Sequence, residues 1–441
     1  MISDDTSSGM PLSQQCGSAV IPFNRLEIEN WDLFAALAWP FWPDSLSALR
    51  ASLQALTGRR HIFLAPSGRC AIAQILSLLP QREVVMPAWI CHEVKTAAEI
   101  AGKHIIYVDL APNSINAGAA EYAAAAQPGR ILIATHLFGV PTDIEAICEL
   151  ARERRCVTIE DAVPALGGRK NGRLLGTFAD FGVFGFEWSK RYPAFHGGVI
   201  VVNNENVLDP VTLGAIRIGE TRRVMPVREL LRALAHNLAT PSWIYRNLTV
   251  RLLPLRHGRS GLSSGSGYSS DPARSHSNKT HALQTSSYNR EIHYYQAELL
   301  IRMLARIDDI RKQVGDLVRT YLESFRNTPI ATFVPAECDR GGLLRFPIAF
   351  PGKSRTEILQ IARKRGIYLK THWPKPLPAE SEHAKFPNAT WVSQNLVLLP
   401  LYRGLSTRSA ELLARSIVEI EKTLPAQPAF SAPTLALPSL G

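Results

Sequence analysis

Two residues near the middle of the chain have side chains suited to covalent and acid–base chemistry. Asp161 comes directly after the apolar segment Cys156–Ile159 and Glu160, and Lys190 follows the next apolar run, Phe181–Phe186. Ligands of open α/β sheets collect at the carboxyl ends of strands. A lysine amine can form a Schiff base with a carbonyl, and a carboxylate can hold a protonated ring nitrogen. Either residue alone is more often a solvated surface group, so their interpretation depends on the other residues nearby.

A turn upstream has the features of a phosphate site. Residues Ala65–Cys70 read APSGRC and pass from the end of an apolar run into a helical pattern. The free N–H groups and the positive dipole end of such a turn bind anions. Gly68 lets the backbone approach a ligand closely, and Arg69 adds a permanent cation. An ordinary strand–helix turn is the alternative.

Trp89 follows the next apolar run, where its ring could either stack on a flat ligand or anchor the core. A phosphate-binding turn, a stacking aromatic, an acid for a ring nitrogen and an imine-forming lysine are the parts that pyridoxal phosphate needs. The sequence therefore predicts pyridoxal 5'-phosphate as the cofactor.

Apolar runs of strand length alternate with helical patterns around these residues. The predicted strands are His61–Ala65, Glu83–Met86, His104–Val108, Arg130–Thr135, Cys156–Ile159, Phe181–Phe186 and Val199–Asn203, and the predicted helices are Ser45–Leu56, Ala71–Leu79, Glu93–Ala101, Glu121–Ala126 and Asp143–Arg154. Short unalternated strands separated by helices indicate a mostly parallel sheet with helices on both faces. We therefore expect an α/β fold.

The segment after Asn203 loses this regularity and is rich in arginine. An amphipathic basic helix is predicted there from Arg228, Leu230, Leu231, Arg232, Leu234 and Leu238. Contact with an anionic membrane, a lid over the active site and a dimer-contact arm are three alternatives for this helix. The Ser/Gly run at 260–270 is typical of a flexible linker, and its G-x-S-x-G pattern is a chance match because no strand precedes it.

The C-terminal part predicts a smaller α/β domain. Its expected elements are one long helix over Glu291–Phe325, strands at Leu344–Phe350, Ile367–Thr371 and Asn395–Leu398, and helices at Arg355–Arg365 and Ser406–Thr423. The predicted organisation is a flexible tail over 1–30, a large cofactor-binding domain over 31–287, a small domain over 288–424 and a disordered tail over 425–441. A basic, Ser/Gly-rich insertion spans about 213–285 of the large domain.

Composition excludes several classes of protein. Across the 441 residues, six scattered cysteines form no C-x-x-C pair and no cluster with histidine, which predicts a reduced, cytoplasmic protein without a metal site. The start of the chain lacks the apolar run of a signal peptide, and no apolar stretch is long enough for a spanning helix. The net charge of +11 favours acidic partners. No signature of nucleic-acid binding accompanies it.

A series of motifs in fixed order resembles a known family. They are Ser67-Gly68-Arg69-Cys70-Ala71, Val108-Asp109, His136-Leu137-Phe138-Gly139-Val140-Pro141, Glu160-Asp161-Ala162, Phe184-Gly185-Phe186 with Ser189-Lys190, Gly197-Gly198, Tyr288-Asn289-Arg290 and Leu399-Pro400-Leu401. In this order the chain is similar to the DegT/DnrJ/EryC1/StrS family of sugar aminotransferases, over most of its length.

The resemblance implies a pyridoxal-phosphate-dependent transferase of fold type I and a homodimer with active sites at the subunit interface. Lys190 would form the Schiff base with the cofactor and later move a proton between substrate and cofactor. Asp161 would keep the ring nitrogen protonated, and Asn289 would reach the phosphate bound by the neighbouring subunit. The implied cofactor-binding residues are Ser67, Gly68, Arg69, Cys70, Trp89, Asp161, Ser189 and Asn289, with the amides of Gly68, Arg69 and Cys70 facing the phosphate.

Five positions depart from the family pattern. Pro164 stands where the family usually has glutamine, Gly185 where it has a phosphate-binding serine, and Arg69 where it has threonine. The usual aromatic position falls on Cys91, and His196 replaces a common acid. Proline cannot make the hydrogen bonds of a glutamine side chain, whereas Arg69 is expected to compensate electrostatically for the missing hydroxyls.

The function expected from the resemblance is transfer of an amino group from an amino acid, glutamate, to a nucleotide-linked keto sugar in surface polysaccharide or amino-sugar biosynthesis. Another pyridoxal-phosphate reaction on the same scaffold is one alternative, although dehydratase relatives carry histidine at the position of Lys190. The second alternative is a regulatory or binding protein that keeps the fold without turnover, which Pro164 and Gly185 favour.

Overall fold

The computed structural model describes residues 21–37, 44–209, 212, 216, 227–240, 244, 292–335 and 338–425. Asn289, the Ser/Gly run at 260–270, most of the predicted insertion, the tail beyond residue 425 and the first twenty residues of the predicted N-terminal tail lie outside the described residues.

Seven strands form the larger sheet. The strands of this part of the chain are β1 (His61–Ala65), β2 (Glu83–Pro87), β3 (His104–Val108), β4 (Arg130–Thr135), β5 (Val157–Asp161), β6 (Arg169–Lys170), β7 (Arg173–Leu174), β8 (Phe181–Gly185) and β9 (Gly198–Val202), of which β6 and β7 pair only as a hairpin. The order in the sheet is β1-β9-β8-β5-β4-β2-β3. β9 runs antiparallel to β1 and β8, whereas the other neighbours are parallel. The predicted mostly parallel sheet is confirmed.

Helices cover both faces of this sheet. They include α1 (Asn30–Ala36), α2 (Ser45–Thr57), α3 (Gly68–Leu78), α4 (His92–Ile100), α5 (Ala119–Ala123) and α6 (Ile144–Glu153). Successive residues of a strand point to opposite faces, and in β4 Ile131 and Ile133 belong to one hydrophobic cluster while Leu132 belongs to another. Both clusters are buried, which explains why these strands read as continuous apolar runs.

Residues 21–30 were predicted to belong to a flexible tail, and this prediction is wrong for them. Phe23, Leu26 and Ile28 are buried, and the buried carboxylate of Glu27 forms an ion pair with Arg191 at 2.8 Å. The partners of this segment come from distant parts of the chain, which local composition does not reveal. Helix α1 follows directly after this segment.

The smaller sheet is antiparallel and contains β10 (Ala331–Thr332), β11 (Phe346–Ala349) and β12 (Val397–Leu399) in that order. The remaining helices are α7 (Val227–Ala239), α8 (Tyr294–Leu304), α9 (Ile307–Phe325), α10 (Arg355–Lys364), α11 (Pro387–Asn395) and α12 (Thr407–Thr423). Helix α9 packs against α12, whereas α8 packs against α2, where Ser45 Oγ donates to Glu298 Oε1 at 2.7 Å.

Two predictions in this region are wrong. The single long helix over Glu291–Phe325 is broken between α8 and α9, where Arg306 leaves the helical conformation and its guanidinium pairs with Asp32 of α1 at 2.5 Å. The strand predicted over Ile367–Thr371 is reduced to one bridge between Lys370 and Leu398. Gly366 ends α10 with a positive φ of 78°, and the chain that follows lies mostly outside the sheet.

Helix α7 contains all the residues of the predicted amphipathic basic helix. Leu230 and Ala233 are buried, and the guanidinium of Arg232 lies over the ring of Trp188 at 4.8 Å from its centroid. Leu231 and Leu238 are more than half exposed, as are Trp31 and Phe34 on the adjacent helix α1. The helix therefore packs beside the segment that carries Lys190 and leaves two leucines exposed. Among the described helices, none is long and apolar enough to cross a membrane.

Candidate active site

Asp161 is the last residue of β5 and therefore lies at the carboxyl edge of the larger sheet. It is paired in register with Thr135, the last residue of β4. Thr135 Oγ1 donates to Asp161 Oδ2 at 3.4 Å, and the Val163 N–H donates to Oδ1 at 3.2 Å. These two contacts orient a carboxylate that is almost completely buried.

The charge of Lys190 reaches this carboxylate. Burial raises the pKa of Asp161, and the positive charge of Lys190 opposes that rise. No described cation forms a direct ion pair with Asp161. Lys190 is thus within electrostatic reach of Asp161, and among the described residues no cation contacts this carboxylate.

Glu160 points to the opposite side of β5 from Asp161, because side chains alternate along a strand. Its carboxylate is fully buried and accepts from the backbone N–H groups of Gly176 (2.6 Å), Phe178 (2.8 Å) and Ala179 (3.3 Å) and contacts His136 Nε2 at 2.9 Å. His136 Nδ1 accepts from the Thr142 N–H at 3.1 Å, so the ring proton is on Nε2 and is donated to Glu160. Glu160 is therefore a structural carboxylate that fixes the turn before β8.

Glu160→Gln is expected to destabilise the protein by about 3 kcal/mol, because the new amide N–H₂ group would face donors instead of accepting from them. Urea unfolding measures this change. Glu145→Gln, at a half-exposed carboxylate that accepts from Asn171, is the matched control and is expected to change stability by less than about 0.5 kcal/mol. Equal effects of the two substitutions would contradict the structural role of Glu160.

The predicted phosphate turn forms the start of α3. Ser67 is its N-cap, and the Cys70 N–H donates to Ser67 Oγ at 3.1 Å. The Gly68 N–H donates to Glu187 Oε1 at 3.2 Å. The Cys70 amide, which was expected to face a phosphate, donates to the cap in this structure, whereas the Gly68 amide holds an anionic group.

Arg69 does not point its charge at this turn. Its guanidinium pairs with the carboxylate of Glu93 on α4, which also contacts His92 Nε2 at 3.0 Å. Burial acts to raise the pKa of the Glu93 carboxyl, but the hydrogen bonds and charges of His92 and Arg69 outweigh burial and lower this pKa. The expectation that Arg69 compensates for missing phosphate-binding hydroxyls is thus not supported by its contacts.

Trp89 is fully buried, which favours the core-anchor alternative for its ring. Its Nε1–H donates to the Trp373 carbonyl at 3.0 Å, and its ring packs edge-on against that of Trp373 at 5.1 Å. Cys91 instead senses the charges of Lys190 and Asp161, while burial raises the pKa of its thiol to about 11. Cys91, at the family's aromatic position, is therefore within electrostatic reach of both candidate residues.

The segment that carries Lys190 is fixed on both sides. The Lys190 N–H donates to the Glu187 carbonyl at 2.9 Å, and Ser189 is exposed. Arg191 is buried and donates to Glu27 (2.8 Å) and to the carbonyls of Leu401, Leu343 and Leu344. The role of Arg191 was not predicted from the sequence, although its position next to Lys190 could have indicated it.

The glycine pair Gly197-Gly198 lets β9 pass against the phosphate turn. Gly197 forms a bridge with Ser67 and has a φ of 125°. A Cβ on Gly198 would lie 2.5 Å from the Ser67 backbone. The pair therefore positions the turn beside the segment that carries Lys190.

A group of cations from distant segments lies near Lys190. The Lys370 ammonium and the Arg345 guanidinium lie 4.8 Å and 5.3 Å from the centroid of the Phe23 ring. Burial, with the charge of Arg345, lowers the pKa of Lys370 to about 8. Burial also lowers the pKa of His372 to about 3, with Arg345, Lys370 and Lys190 contributing. In the described ranges no carboxylate pairs with Lys370 or Arg345.

A family model and several known proteins are similar in sequence to parts of this chain. A family model described as the DegT/DnrJ/EryC1/StrS aminotransferase family matches residues 44–216 and 265–418. A UDP-N-acetyl-3-dehydro-alpha-D-glucosamine 3-aminotransferase of Acidithiobacillus ferrooxidans is 31% identical over 166 residues, which are 37% of this chain and 45% of that protein. A pleiotropic regulatory protein of Geobacillus stearothermophilus is 28% identical over 169 residues, again 37% of this chain and 45% of that protein. The matched region thus spans less than half of either relative.

Solved structures resemble the chain over most of its length. A putative sugar aminotransferase from Streptococcus pneumoniae, in its PMP form, has a TM-score of 0.67 at 18% identity and covers 91% of this chain and 98% of its own. A Helicobacter pylori aminotransferase involved in the biosynthesis of pseudoaminic acid has a TM-score of 0.69 at 14% identity, covering 91% and 99%. These likenesses establish the expected fold type I.

Proposed function

Because the chain belongs to the DegT/DnrJ/EryC1/StrS aminotransferase family, we propose that it is a pyridoxal-phosphate-dependent aminotransferase. The proposed reaction transfers an amino group from glutamate to a nucleotide-linked keto sugar, in surface polysaccharide or amino-sugar biosynthesis. The observation that carries this proposal is the placement of Lys190 and the buried Asp161 within electrostatic reach of one another at the carboxyl edge of the sheet.

The residues at this edge fit pyridoxal phosphate. Asp161 is a buried carboxylate that a protonated ring nitrogen would complement, and Thr135 orients it. The Gly68 amide already holds an anion, since the Glu187 carboxylate stands where a phosphate oxygen would accept the same hydrogen bond. When bound, the cofactor supplies a carbonyl for amines and a ring that accepts electrons from the substrate carbon.

The chain's own residues have distinct tasks in this proposal. Lys190 Nζ would hold the cofactor at its carbonyl group and, when free, would move a proton to and from the substrate carbon. Asp161 keeps the proton on the ring nitrogen through a charge-assisted hydrogen bond. Arg191 anchors the segment of Lys190 to the N-terminal segment and to carbonyls near β11 and β12.

The cations near Lys190 support an anionic substrate. Lys370 and Arg345 act electrostatically on His372 as Lys190 does, and neither forms an ion pair with a described acid. A diphosphate or a carboxylate would compensate this charge. A nucleotide-linked sugar and glutamate both carry such groups.

Lys370→Met is expected to raise the KM for the nucleotide-linked sugar about tenfold while changing kcat little, because it removes a charged contact to the bound substrate. Steady-state kinetics with varied sugar concentration measures the change. Lys375→Met is the matched control, since Lys375 is exposed on the same segment and pairs with Glu380 at 2.9 Å. A KM shift of equal size in both variants would remove the support that the cation group gives to an anionic substrate.

Uptake of the cofactor tests the proposed function first. Protein incubated with pyridoxal phosphate should acquire a visible absorption band, and borohydride should fix the cofactor on Lys190, as peptide mass spectrometry would show. A panel of nucleotide-linked keto sugars, added to the aminated form, then identifies the acceptor by the return of this band. Protein that never takes up the cofactor would instead favour the alternative of a regulatory or binding protein.

We also propose that the working form is a cytoplasmic homodimer. The exposed apolar side chains of Trp31, Phe34, Leu231 and Leu238 form a surface suited to a second copy of the chain. Light scattering gives the mass in solution. The membrane-contact alternative predicts that the protein floats with anionic liposomes, and a dimer that stays off these liposomes would reject it.

A further inference from the structure

Glu187 is a charged residue inside the candidate cofactor site that the proposed chemistry does not use. It lies between Gly185 and Lys190, and its side chain folds back onto the start of α3. Oε1 accepts the Gly68 N–H at 3.2 Å. Oε2 is buried and has no hydrogen-bond partner among the residues that the structure describes. One oxygen of this carboxylate thus accepts a backbone hydrogen bond, while the other is buried without one from the described residues.

Gly185 makes this position of the carboxylate possible. A Cβ on Gly185 would lie 2.8 Å from Glu187 Oε2 and 2.8 Å from Val163 Cγ1. Any side chain at position 185 would therefore push the Glu187 carboxylate away from its present place. The two positions are coupled, because the absence of a side chain at Gly185 provides the space for the Glu187 carboxylate.

We propose that Glu187 is an internal anion that competes with the cofactor phosphate for the Gly68 turn. This inference rests on the proposed function, because the competitor is the phosphate of pyridoxal phosphate. Two anions cannot share one amide donor without strong repulsion, so the carboxylate must leave before the phosphate enters. The bond to Gly68 is lost in that exchange, and the affinity for the cofactor is lowered accordingly.

Glu187→Gln is the first test, since it removes the charge and keeps the shape. The dissociation constant of pyridoxal phosphate, measured by absorption or equilibrium dialysis, is expected to fall about tenfold. Pyridoxal, which has the same ring and carbonyl but no phosphate, is the control ligand. Its affinity is expected to stay the same in both proteins, because Glu187 competes only at the phosphate end.

Gly185→Ala tests the coupling between the two positions. The added Cβ is expected to displace the carboxylate and to tighten cofactor binding as Glu187→Gln does. In the double variant the two gains should not add, since both act by removing the same carboxylate from the same place. If a clash with Val163 prevents the Gly185→Ala variant from folding, the affinity of the Glu187→Gln variant for pyridoxal phosphate is the deciding measurement.

The outcomes separate the two proposals. Equal affinity of the native protein and Glu187→Gln for pyridoxal phosphate would overturn the competition and leave the proposed function standing. A parallel gain for pyridoxal would also overturn it, because the effect would not concern the phosphate. Failure of both proteins to bind any pyridoxal phosphate would overturn the proposed function together with this inference.

Discussion

Lys190→Ala is expected to lower kcat for amino transfer by at least about 10³-fold. The substitution removes the amine that binds the cofactor carbonyl and the base that moves the substrate proton, and in the described part of the site no second lysine lies beside Asp161. Borohydride should then fix no cofactor on the protein. Single-turnover absorption with glutamate measures the loss, because it follows the chemistry independently of sugar binding and product release.

Two further variants distinguish the role of Lys190 from a general effect of lost charge. Lys190→Arg keeps a cation near Asp161 and is expected to be as inactive as Lys190→Ala, since a guanidinium does not form the Schiff base. Lys170→Ala removes a lysine that pairs with Asp143 at 2.6 Å on the β6–β7 hairpin, and it should leave activity near the native level. Turnover by Lys190→Ala at a tenth or more of the native rate would mean that the role is misassigned.

The pair of Lys190 and Asp161 could be predicted from the sequence because a general rule positions it. Strand lengths and buried patterns identified β4, β5 and β8 from local residues alone, and the carboxyl ends of adjacent strands meet at one edge of a sheet. Thr135 falls under the same rule, although it was not singled out. The alternation of strands and helices predicted the mostly parallel sheet, but the order of the strands within it was not predicted.

The details of the phosphate turn could not be read in this way. Whether the Cys70 amide faces a ligand depends on the rotamer of Ser67, and the direction of the Arg69 charge depends on Glu93 from the next helix. The sequence shows that Gly185 departs from the family pattern, but it indicates only that a serine hydroxyl is missing there. The structure shows that the same position gives space to Glu187.

The cations near Lys190 have no local pattern at all. Arg345 donates to Asn24 Oδ1 at 2.5 Å across a separation of 321 residues, and Lys370 meets the same N-terminal segment at Phe23. Such contacts depend on how the small sheet and the N-terminal segment dock on the larger sheet. For the same reason residues 21–30 were mistaken for a tail.

Asp161→Asn is expected to lower kcat by about 10²- to 10⁴-fold, because a neutral amide cannot keep the ring nitrogen protonated by a charge-assisted hydrogen bond. An asparagine Oδ1 can still accept the Val163 N–H while its Nδ2–H₂ group donates to Thr135 Oγ1, so the fold and the position of the side chain should be kept. The pH dependence of the absorption band should also change, since the proton on the ring nitrogen loses its anionic partner. The matched control is Asp109→Asn, because Asp109 follows β3 at the same edge of the sheet but accepts the N–H groups of Asn388 and Ala389 at the start of α11. We expect Asp109→Asn to lower stability and to leave kcat within a few-fold of native, so equal losses of kcat in the two variants would show that the effect of Asp161 is structural.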